Sequence, residues 1–474
     1  MPDQTPVSPS VLETDYLIVG SGAMGMAFAD TLVAESDARV VIVDRHAAPG
    51  GHWNDAYSFV RLHTPSAFYG VNSRPLGENR RLTSGVNAGF YEVASAQEIR
   101  RYYADVMEET LLRSGRVRYF PGCSYRGDFE REHRFASDAS GEIFRVQVRK
   151  KVVDATYTDT ALPSTHEPNF RVADGVCCVP INALPELARD QERFVVIGAG
   201  KTGIDACLWL LEQGVAPERI RWVKPREAWL QDRAHFQPGE LSLGLLASFA
   251  AAAEAAADAH SQADLFARLS AAGVLLRVDQ EVEPTMYRCA SVSQPELTQL
   301  RSIRDVVRLG RVRSLEHDRI ELERGSVTAR GGELYVHCAA GGISRRPARP
   351  VFSAERITLQ SIRWCYPVFS AAIIAHLEAT RSDLTQQNAL STPIPYPETD
   401  RDWLRVFLGH TLADATARAD PELRAWTMRC RLNPSVQVAA HSHGDDPAWS
   451  QASKKLREHL PRALERVKQL ASSD

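Results

Sequence analysis

Two short apolar runs, over 17–19 and 194–197, each end in a glycine-rich turn. A stretch with apolar residues at helical spacing follows each turn, and a second apolar run follows each helix, over 40–43 and 220–223. A strand, a tight turn, a helix and a parallel strand in this order form a βαβ unit. The pattern therefore predicts an α/β protein with two Rossmann-like dinucleotide-binding domains.

The glycines of both turns are spaced as in the dinucleotide-binding fingerprint, GxGxxG. They allow a tight turn, close approach of the backbone to a pyrophosphate and close packing of helix on strand. The N–H groups and positive dipole of the helix N-terminus then attract the diphosphate. Two structural turns that bind nothing are the alternative. The residues predicted to bind the cofactors are Gly20, Gly22, Ala23, Met24 and Gly25 in the first turn and Gly198, Gly200, Lys201, Thr202 and Gly203 in the second.

The strand ends that close the two units carry opposite charges. Asp44, followed by Arg45, closes the first unit, where a carboxylate accepts hydrogen bonds from ribose hydroxyls and repels a 2′-phosphate. Lys224 and Arg226 stand at the matching end of the second unit, and cations there suit the 2′-phosphate of NADP. We therefore assign FAD to the first unit and NADPH to the second. Ordinary solvated charges at the second strand end are the alternative.

The composition of the 474 residues is that of a globular protein, with 44% hydrophobic and 24% charged residues. A net charge of −3 argues against a surface that binds nucleic acid. The polar start, over 1–14, lacks the features of a secretory signal, so we expect a cytoplasmic protein. The most apolar stretch, over 245–257, is too short and too charged to span a bilayer, so we expect no membrane attachment. An oligomer is compatible with the sequence.

The eight cysteines are scattered and show no CxxC spacing. Flavoproteins that reduce disulfides need a redox-active cysteine pair beside the flavin, and this spacing predicts none. No cluster of cysteine, histidine and carboxylate residues has metal-ligand spacing, so no metal site is predicted. The redox chemistry should therefore belong to the flavin.

A motif after the first unit carries a resemblance to a known family. It consists of Gly50, Gly51, His52 and Trp53, followed by Tyr57, Arg61 and His63. With both fingerprints in the same order, it resembles the class B flavin monooxygenases, which include the N/S-oxygenating flavin monooxygenases and the Baeyer-Villiger monooxygenases. The chain departs from that family over 170–180, where the glycine and histidine of a hinge before the second fingerprint are missing.

The resemblance implies that this motif passes over the flavin and that Gly51, His52 and Trp53 bind the cofactor. His63 takes the place of an Asn or Asp of the family. Its imidazole, with a pKa near the operating pH, could orient substrate or donate a hydrogen bond to a flavin hydroperoxide. Arg61 is predicted to pair with the flavin or a cofactor phosphate. A loop histidine and an exposed loop arginine without chemical roles are the alternatives.

The second fingerprint divides the chain into three parts. We predict a discontinuous FAD domain, with its first part over 1–192 and its second part, with C-terminal helices, over 308–474. An NADP domain over 193–307 is inserted between them. Helices over 241–272 and 295–309 lie outside the βαβ pattern, and such additions commonly shape a substrate pocket.

An apolar strand over 334–338 follows a predicted hairpin over 319–330. It is similar to the element by which two-dinucleotide flavoproteins return to the FAD domain. Small residues are needed where backbone approaches a cofactor, so Ala340 and Gly341 are predicted to contact FAD. A small-residue turn packed on a neighbouring helix is the alternative.

These features predict an enzyme that reduces FAD with NADPH. The resemblance further implies that it passes the electrons to dioxygen and oxygenates a small organic substrate. Two other functions stay open at this point. One is an NADPH-dependent reductase or dehydrogenase without oxygen insertion, and the other is a nucleotide-binding redox sensor without catalysis.

Overall fold

The computed structural model of the protein describes residues 10–441 and 446–472. The strands of these residues are, in chain order, β1 (Ser10–Val19), β2 (Val40–Val43), β3 (Val117–Phe120), β4 (Cys123–Tyr125), β5 (Arg134–Ser137), β6 (Ile143–Asp154), β7 (Thr160–Ala161), β8 (Arg171–Val172), β9 (Cys178–Pro180), β10 (Arg193–Ile197), β11 (Ile220–Val223), β12 (Ala228–Asp232), β13 (Leu275–Leu276), β14 (Met286–Val292), β15 (Asp305–Val307), β16 (Val312–Leu315), β17 (Arg319–Leu322), β18 (Gly325–Thr328), β19 (Glu333–His337), β20 (Gly342–Ile343) and β21 (Arg356–Thr358). The α-helices are α1 (Ala23–Glu35), α2 (Ala96–Asp105), α3 (Leu184–Leu187), α4 (Lys201–Glu212), α5 (Leu243–Asp258), α6 (Gln262–Ala271), α7 (Gln294–Ser302), α8 (Pro367–Thr380), α9 (Leu384–Leu390), α10 (Arg401–Ala419), α11 (Pro421–Thr427), α12 (Pro434–His441) and α13 (Pro447–Ser472).

The first sheet has the strand order β3-β2-β1-β6-β5-β4, with β21 also paired to β6. At its centre the strands are parallel, and Leu17 lies opposite Val41 on one side and Val152 on the other. All three side chains are fully buried, as expected where helices cover both faces of a parallel sheet. Because β21 follows all strands of the second sheet in the chain and yet pairs in the first sheet, the first unit is discontinuous in sequence, as predicted.

The second sheet has the order β15-β11-β10-β19-β9, and all its strands are parallel. It contains the second glycine turn, so the prediction of two Rossmann-like units is confirmed.

The position of β19 corrects an expectation. Tyr335 in this strand lies opposite Val195 in β10, so β19 belongs to the second unit and does not return the chain to the first. The strand is buried along its whole length between β10 and β9, which explains why its apolar run pairs there. The chain returns at β21, and the strands of the second sheet extend over 178–337, beyond both boundaries expected at 193 and 307.

Two smaller sheets adjoin the second unit, with the orders β13-β12-β14 and β18-β17-β16-β8. The hairpin predicted over 319–330 is present as antiparallel β17 and β18, with Ile320 opposite Val327. Helices α5 and α6 occupy the region predicted to be helical over 241–272. The helix predicted over 295–309 ends at Ser302, because the chain then enters β15 at the edge of the second sheet.

One helical stretch among the described residues, Gly239–Asp258, is long and apolar enough to cross a membrane. The prediction that this region is too short and too charged to span a bilayer was therefore wrong when length and composition alone are considered. In the structure its alanines pack in a cluster with Trp403 and Val467, and Lys455 of α13 lies 2.8 Å from the Glu254 carboxylate. Helix α13 therefore lies along the apolar stretch and covers part of it.

Candidate cofactor and active site

The first glycine turn joins β1 to α1, and its backbone packs too closely for a side chain at two glycines, Gly25 and Gly51. A Cβ atom on Gly25 would lie 2.0 Å from the carbonyl oxygen of Gly20, and one on Gly51 would lie 2.8 Å from Cα of Gly22. Helix α1 begins at Ala23, and no side chain caps its first N–H groups. Uncapped N–H groups beside a close backbone crossing fit a diphosphate.

Asp44 directly follows β2, as predicted, and is buried. Its Oδ2 accepts hydrogen bonds from the Ser21 amide at 2.5 Å and the Ser21 hydroxyl at 2.8 Å, and its Oδ1 accepts from the His46 amide at 2.8 Å. Burial alone would raise the pKa of this carboxyl, but the hydrogen bonds from His46 and Ser21 hold the pKa below its usual value. Asp44 is therefore an ionised acceptor beside the first turn, whereas the neighbouring Arg45 is exposed.

The glycine–tryptophan motif lies against this turn. The Gly50 amide donates to the Ser21 carbonyl at 2.9 Å, and the buried indole of Trp53 donates to the Tyr69 hydroxyl at 2.8 Å. Burial lowers the pKa of His52 to about 4, although the carboxylate of Asp55 opposes the shift. The imidazole of His52 is therefore neutral at physiological pH, and the motif is positioned beside the first nucleotide turn.

The second glycine turn has the same construction. A Cβ atom on Gly203 would lie 2.2 Å from the carbonyl oxygen of Gly198, whereas one on Gly200 would have no atom within 4 Å. Lys201 and Thr202 begin α4, and no side chain caps this helix N-terminus. The turn is therefore closed on the side of the strand and open at Gly200, where a diphosphate would approach.

A connected group of three side chains, Tyr57, Asp205 and Lys201, lies between the two Rossmann-like units. Tyr57, which follows the first unit in sequence, is buried, and its hydroxyl donates to Asp205 of α4 at 2.5 Å. The same Asp205 oxygen forms a short ion pair with Lys201. Burial, together with the charge of Asp205, raises the pKa of Tyr57 well above its usual value. Tyr57 is therefore a neutral donor that joins the first unit to the second glycine turn.

Lys224 does not stand free at the end of its strand. It is buried, with its ammonium 2.5 Å from Glu227 Oε2 and 4.3 Å from the centre of the Trp222 ring. Burial lowers the pKa of Lys224, although Glu227 opposes the shift. The carboxylate and the indole face hold the ammonium inside the protein, away from the strand end where we expected it to meet a 2′-phosphate.

Arg226 belongs to a cluster of three guanidinium groups around one carboxylate. Arg226, Arg288 and Arg345 each form a short ion pair with Glu398. Burial opposes ionisation of Glu398, but hydrogen bonds from Arg288 and Arg226 lower its pKa to about 2. Three cations on one anion leave a net positive charge at the strand end. Arg288 lies in β14 and carried no local signal in the sequence. Arg345, just after β20, was expected to be part of a solvated basic run with Arg346 and Arg349, and the structure places it against Glu398 instead.

His63 lies where the first unit meets β14. Its Nδ1 accepts a hydrogen bond from the Ser291 amide at 3.3 Å, and its carbonyl oxygen accepts from Ser291 Oγ at 2.9 Å and from Arg233 at 2.5 Å. Burial lowers the pKa of His63 well below its usual value, and the cations Lys201 and Arg233 lower it further. The expectation of a pKa near the operating pH is therefore corrected, since the imidazole stays neutral.

Arg61 is not brought to this site. Its side chain is exposed and donates to the Val93 carbonyl at 3.2 Å. The cation beside the histidine is Arg233, which is buried and lies 3.1 Å from Glu296. Glu296 was detectable in the sequence as part of a capping box with Ser293 at the start of α7. Arg233 carried no such local signal, because its partners are distant in the chain.

Ala340 and Gly341 lie where the chain leaves β19, just before β20 pairs with β7. A cavity of about 230 Å³ adjoins this crossing. Its lining includes Thr158, Arg345, Gln360, Ser361, Tyr396 and Glu398. One lining residue, Thr158, also contacts α1, because its hydroxyl donates to the Met24 sulfur at 3.4 Å. The lining combines apolar and polar side chains, which is typical of a site for a small organic molecule or part of a nucleotide.

A disulfide joins Cys289 and Cys365, whose Cα atoms are 6.6 Å apart. The sequence predicted no redox-active cysteine pair beside the flavin, and it did not indicate this disulfide, because 76 positions separate the two residues. Over 10–441 and 446–472, no three His, Cys, Asp or Glu side chains are grouped so that they could hold a metal ion.

Comparison with known proteins extends these observations. A family model described as an NAD(P)-binding Rossmann-like domain matches residues 18–70. An uncharacterized protein of Mycobacterium tuberculosis is 49% identical over 433 residues, which cover 91% of this chain and 79% of the relative.

The chain is also similar to two solved structures. OTEMO in complex with FAD and NADP matches 80% of this chain and 86% of its own, with 12% identity and a TM-score of 0.50. The open structure of cyclohexanone monooxygenase covers 97% of both chains, with 14% identity and a TM-score of 0.47. The chain therefore belongs to the same family as the mycobacterial protein, and its two-domain α/β fold is similar to that of the OTEMO structure.

Proposed function

We propose that the protein is an FAD- and NADPH-dependent monooxygenase that oxygenates a small organic substrate with dioxygen. The observation that carries this proposal is the contact of Tyr57 with Asp205, which pairs with Lys201, because it joins the motif that follows the first glycine turn to the helix that follows the second. Hydride transfer between nicotinamide and flavin requires both rings in one place. Two uncapped glycine turns whose units are connected by this contact support such an arrangement.

The first turn and Asp44 would hold FAD, and the second turn would hold NADPH. Bound FAD would supply the acceptor for the hydride and, once reduced, the electrons for dioxygen. The protein's part is to bind and orient the nucleotides. The steric closure at Gly25 and Gly203 sets each helix on its strand, and the uncapped N–H groups remain for the diphosphates.

The preference for NADPH rests on the arginine cluster. A 2′-phosphate could take the place of the Glu398 carboxylate among Arg226, Arg288 and Arg345, because both are anions that accept from guanidinium groups. NADH has a hydroxyl in place of the 2′-phosphate, so the three arginines would keep their ion pairs with Glu398. The cluster replaces the earlier assignment of Lys224 to this role.

His63 would act as a hydrogen-bond donor to substrate or oxygen. Because Nδ1 accepts from the Ser291 amide, the proton of the neutral imidazole resides on Nε2. The depressed pKa keeps the ring in this state over the physiological range. Arg233 holds the His63 carbonyl and so keeps the residue in place.

A second candidate is an NADPH-dependent reductase without oxygen insertion. It is favoured by the disulfide between Cys289 and Cys365, since Cys289 lies on the strand that also carries Ser291. A disulfide at this position could itself accept electrons.

One experiment separates the two candidates. The full chain, loaded with FAD, is mixed with NADPH or NADH without oxygen, and loss of the yellow flavin colour is followed. Labelled dioxygen is then admitted with a panel of small organic substrates, and products are examined by mass spectrometry. We expect faster bleaching with NADPH and labelled oxygen in a product.

The variant Gly200→Val is the control, because it fills the open second turn and should abolish bleaching while FAD stays bound. Absence of bleaching in the wild type would refute the enzyme proposal. Bleaching with release of all electrons as peroxide, whatever the substrate, would favour the reductase.

A further inference from the structure

The disulfide between Cys289 and Cys365 is a covalent link between two parts of the fold that are distant in sequence. Cys289 lies in β14, in the three-stranded sheet with β12. Cys365 lies between β21, which belongs to the first sheet, and α8, which packs against α1. The bond therefore ties the first nucleotide unit to a small sheet beside the second.

The backbone is shaped to bring the two sulfur atoms together. Cys289 has φ of 57° and Cys365 has φ of 40°, a left-handed region that residues with a Cβ atom seldom adopt. The β14–β12 ladder shifts register around Cys289, since Tyr287 and Ser291 lie opposite Trp229 and Gln231. Such bulges re-aim a side chain out of the ladder, and unusual φ values of this kind concentrate at functional positions.

The surroundings leave the bond within reach of a small reagent. Both cysteines are only half-buried, whereas four of the six free cysteines are buried. The Tyr287 hydroxyl lies 3.7 Å from the Cys289 sulfur and accepts from the Trp364 indole at 3.2 Å. The neighbours of both cysteines thus pack together on one side of the bond. Accessible disulfides are the ones that exchange readily with thiols.

We propose that Cys289 and Cys365 are a reversible thiol–disulfide exchange site for low-molecular-weight thiols. In the oxidising direction, the thiolate of one cysteine attacks a small disulfide, forms a mixed disulfide and releases one small thiolate. The thiolate of the second cysteine then attacks the protein sulfur of the mixed disulfide and releases the other. The two cysteine protons pass to the released thiolates, so one small disulfide becomes two thiols as the protein gains its bond.

The bond would act on the site around His63. Ser291 contacts this histidine through both its amide and its hydroxyl and lies two residues after Cys289. With the bond formed, β14 is fixed to the segment before α8, which restrains Ser291. With the bond open, the covalent restraint is absent, whereas the hydrogen bond from Trp364 to Tyr287 remains. The exchange site thus couples the thiol balance of the surroundings to the rigidity of the proposed active site.

The test uses the full chain without added FAD or NADPH, so its result does not depend on the proposed enzyme activity. The protein is equilibrated in glutathione buffers from fully reduced to fully oxidised, unfolded in denaturant that contains excess N-ethylmaleimide so that the buried cysteines are also labelled, and weighed intact. We expect the number of labels to change from eight to six in one step, and peptide mapping to identify Cys289 and Cys365 as the two that lose their labels.

Matched variants make the assignment specific. Cys289→Ser and Cys365→Ser should each abolish the two-label step, whereas Cys177→Ser, at an exposed free cysteine, should keep it. Circular dichroism checks that each variant is folded, and either of the first two variants is sufficient. In the wild type, hydrogen exchange over 286–292 and 361–366 should slow by at least about tenfold on oxidation, the factor that corresponds to about 1.4 kcal/mol.

Three outcomes would overturn the proposal. A bond that persists in fully reduced glutathione would be a permanent structural link, and a bond that never forms would exclude the exchange site. A two-label step that survives Cys289→Ser would assign the chemistry to other cysteines.

Discussion

The Tyr57 hydroxyl donates a hydrogen bond to the Asp205 carboxylate at 2.5 Å, across 148 positions of the chain. Asp205 lies one turn into α4 and also pairs with Lys201, the first residue of that helix. The contact therefore reaches from the motif after the first glycine turn to the start of the helix that follows the second.

Replacing Tyr57 by Phe should weaken this link. The variant Tyr57→Phe removes one donor to a charged acceptor, and we expect a loss of about 1.5–3 kcal/mol in the free energy of unfolding. Urea denaturation of wild type and variant measures the difference. Tyr103→Phe is the matched control, because the Tyr103 hydroxyl is also buried but its neighbour is the Tyr69 hydroxyl and not a carboxylate. Equal losses in the two variants would argue against a special role for the Tyr57 contact.

Arg226 and Lys224 should respond differently to substitution. Arg226→Glu places an anion in the arginine cluster, and we expect the KM for NADPH to rise about 10- to 100-fold while the KM for NADH changes little. Lys224→Met removes one of the two cations that pair with Glu227, while Arg308 remains at 2.8 Å, and it should lower stability instead, by about 1–3 kcal/mol, without changing the ratio of the two KM values. Steady-state kinetics and urea denaturation test both expectations. Equal effects of Arg226→Glu on the two cofactors would contradict the assignment.

The lowered pKa of His63 makes a prediction about stability and pH. The unfolded chain takes up a proton near pH 6.5, whereas folded His63 does so only at much lower pH. The stability that depends on neutral His63 is therefore complete above about pH 6.5 and falls as the pH drops below it, by at most about 1.4 kcal/mol per pH unit. Urea denaturation between pH 8 and pH 5 measures this slope.

Other buried histidines contribute to the same slope, so the comparison must be made by difference. His63→Asn should remove the share of one histidine and flatten the curve. His260→Asn is the control, because the side chain of His260 is exposed. If His63→Asn leaves the slope as steep as His260→Asn does, His63 is not held neutral by its surroundings.

Substitutions at two glycines of the second turn should have different effects, one on stability and the other on NADPH binding. Gly203→Ala would bring a Cβ atom to 2.2 Å from the Gly198 carbonyl oxygen, and we expect a loss of about 1–3 kcal/mol in stability. Gly200→Ala meets no atom within 4 Å and should fold normally but bind NADPH more weakly. Thermal unfolding and titration calorimetry distinguish these effects. Normal NADPH binding by Gly200→Ala would show that the diphosphate does not approach this glycine.

The local patterns of the chain predicted the parts of the fold that depend on neighbours in sequence. Both glycine turns, their flanking strands and helices, and the hairpin over 319–330 were all present where the sequence indicated them. The reason is that a tight turn or a strand–helix switch needs particular residue types within a few positions. Asp44 was found at its strand end on the same grounds.

Contacts between distant segments were decided only by the tertiary structure. The sequence pointed to Lys224 and to the apolar run that forms β19, but it did not predict that Lys224 pairs with Glu227 or that β19 joins the second sheet. Nor did it predict that Arg233 supports His63. The pairing of Cys289 with Cys365 depends in the same way on a strand bulge and on the packing of α8. Each of these outcomes is set by which apolar faces and opposite charges meet when the whole chain folds, and a sequence pattern contains no distances between them.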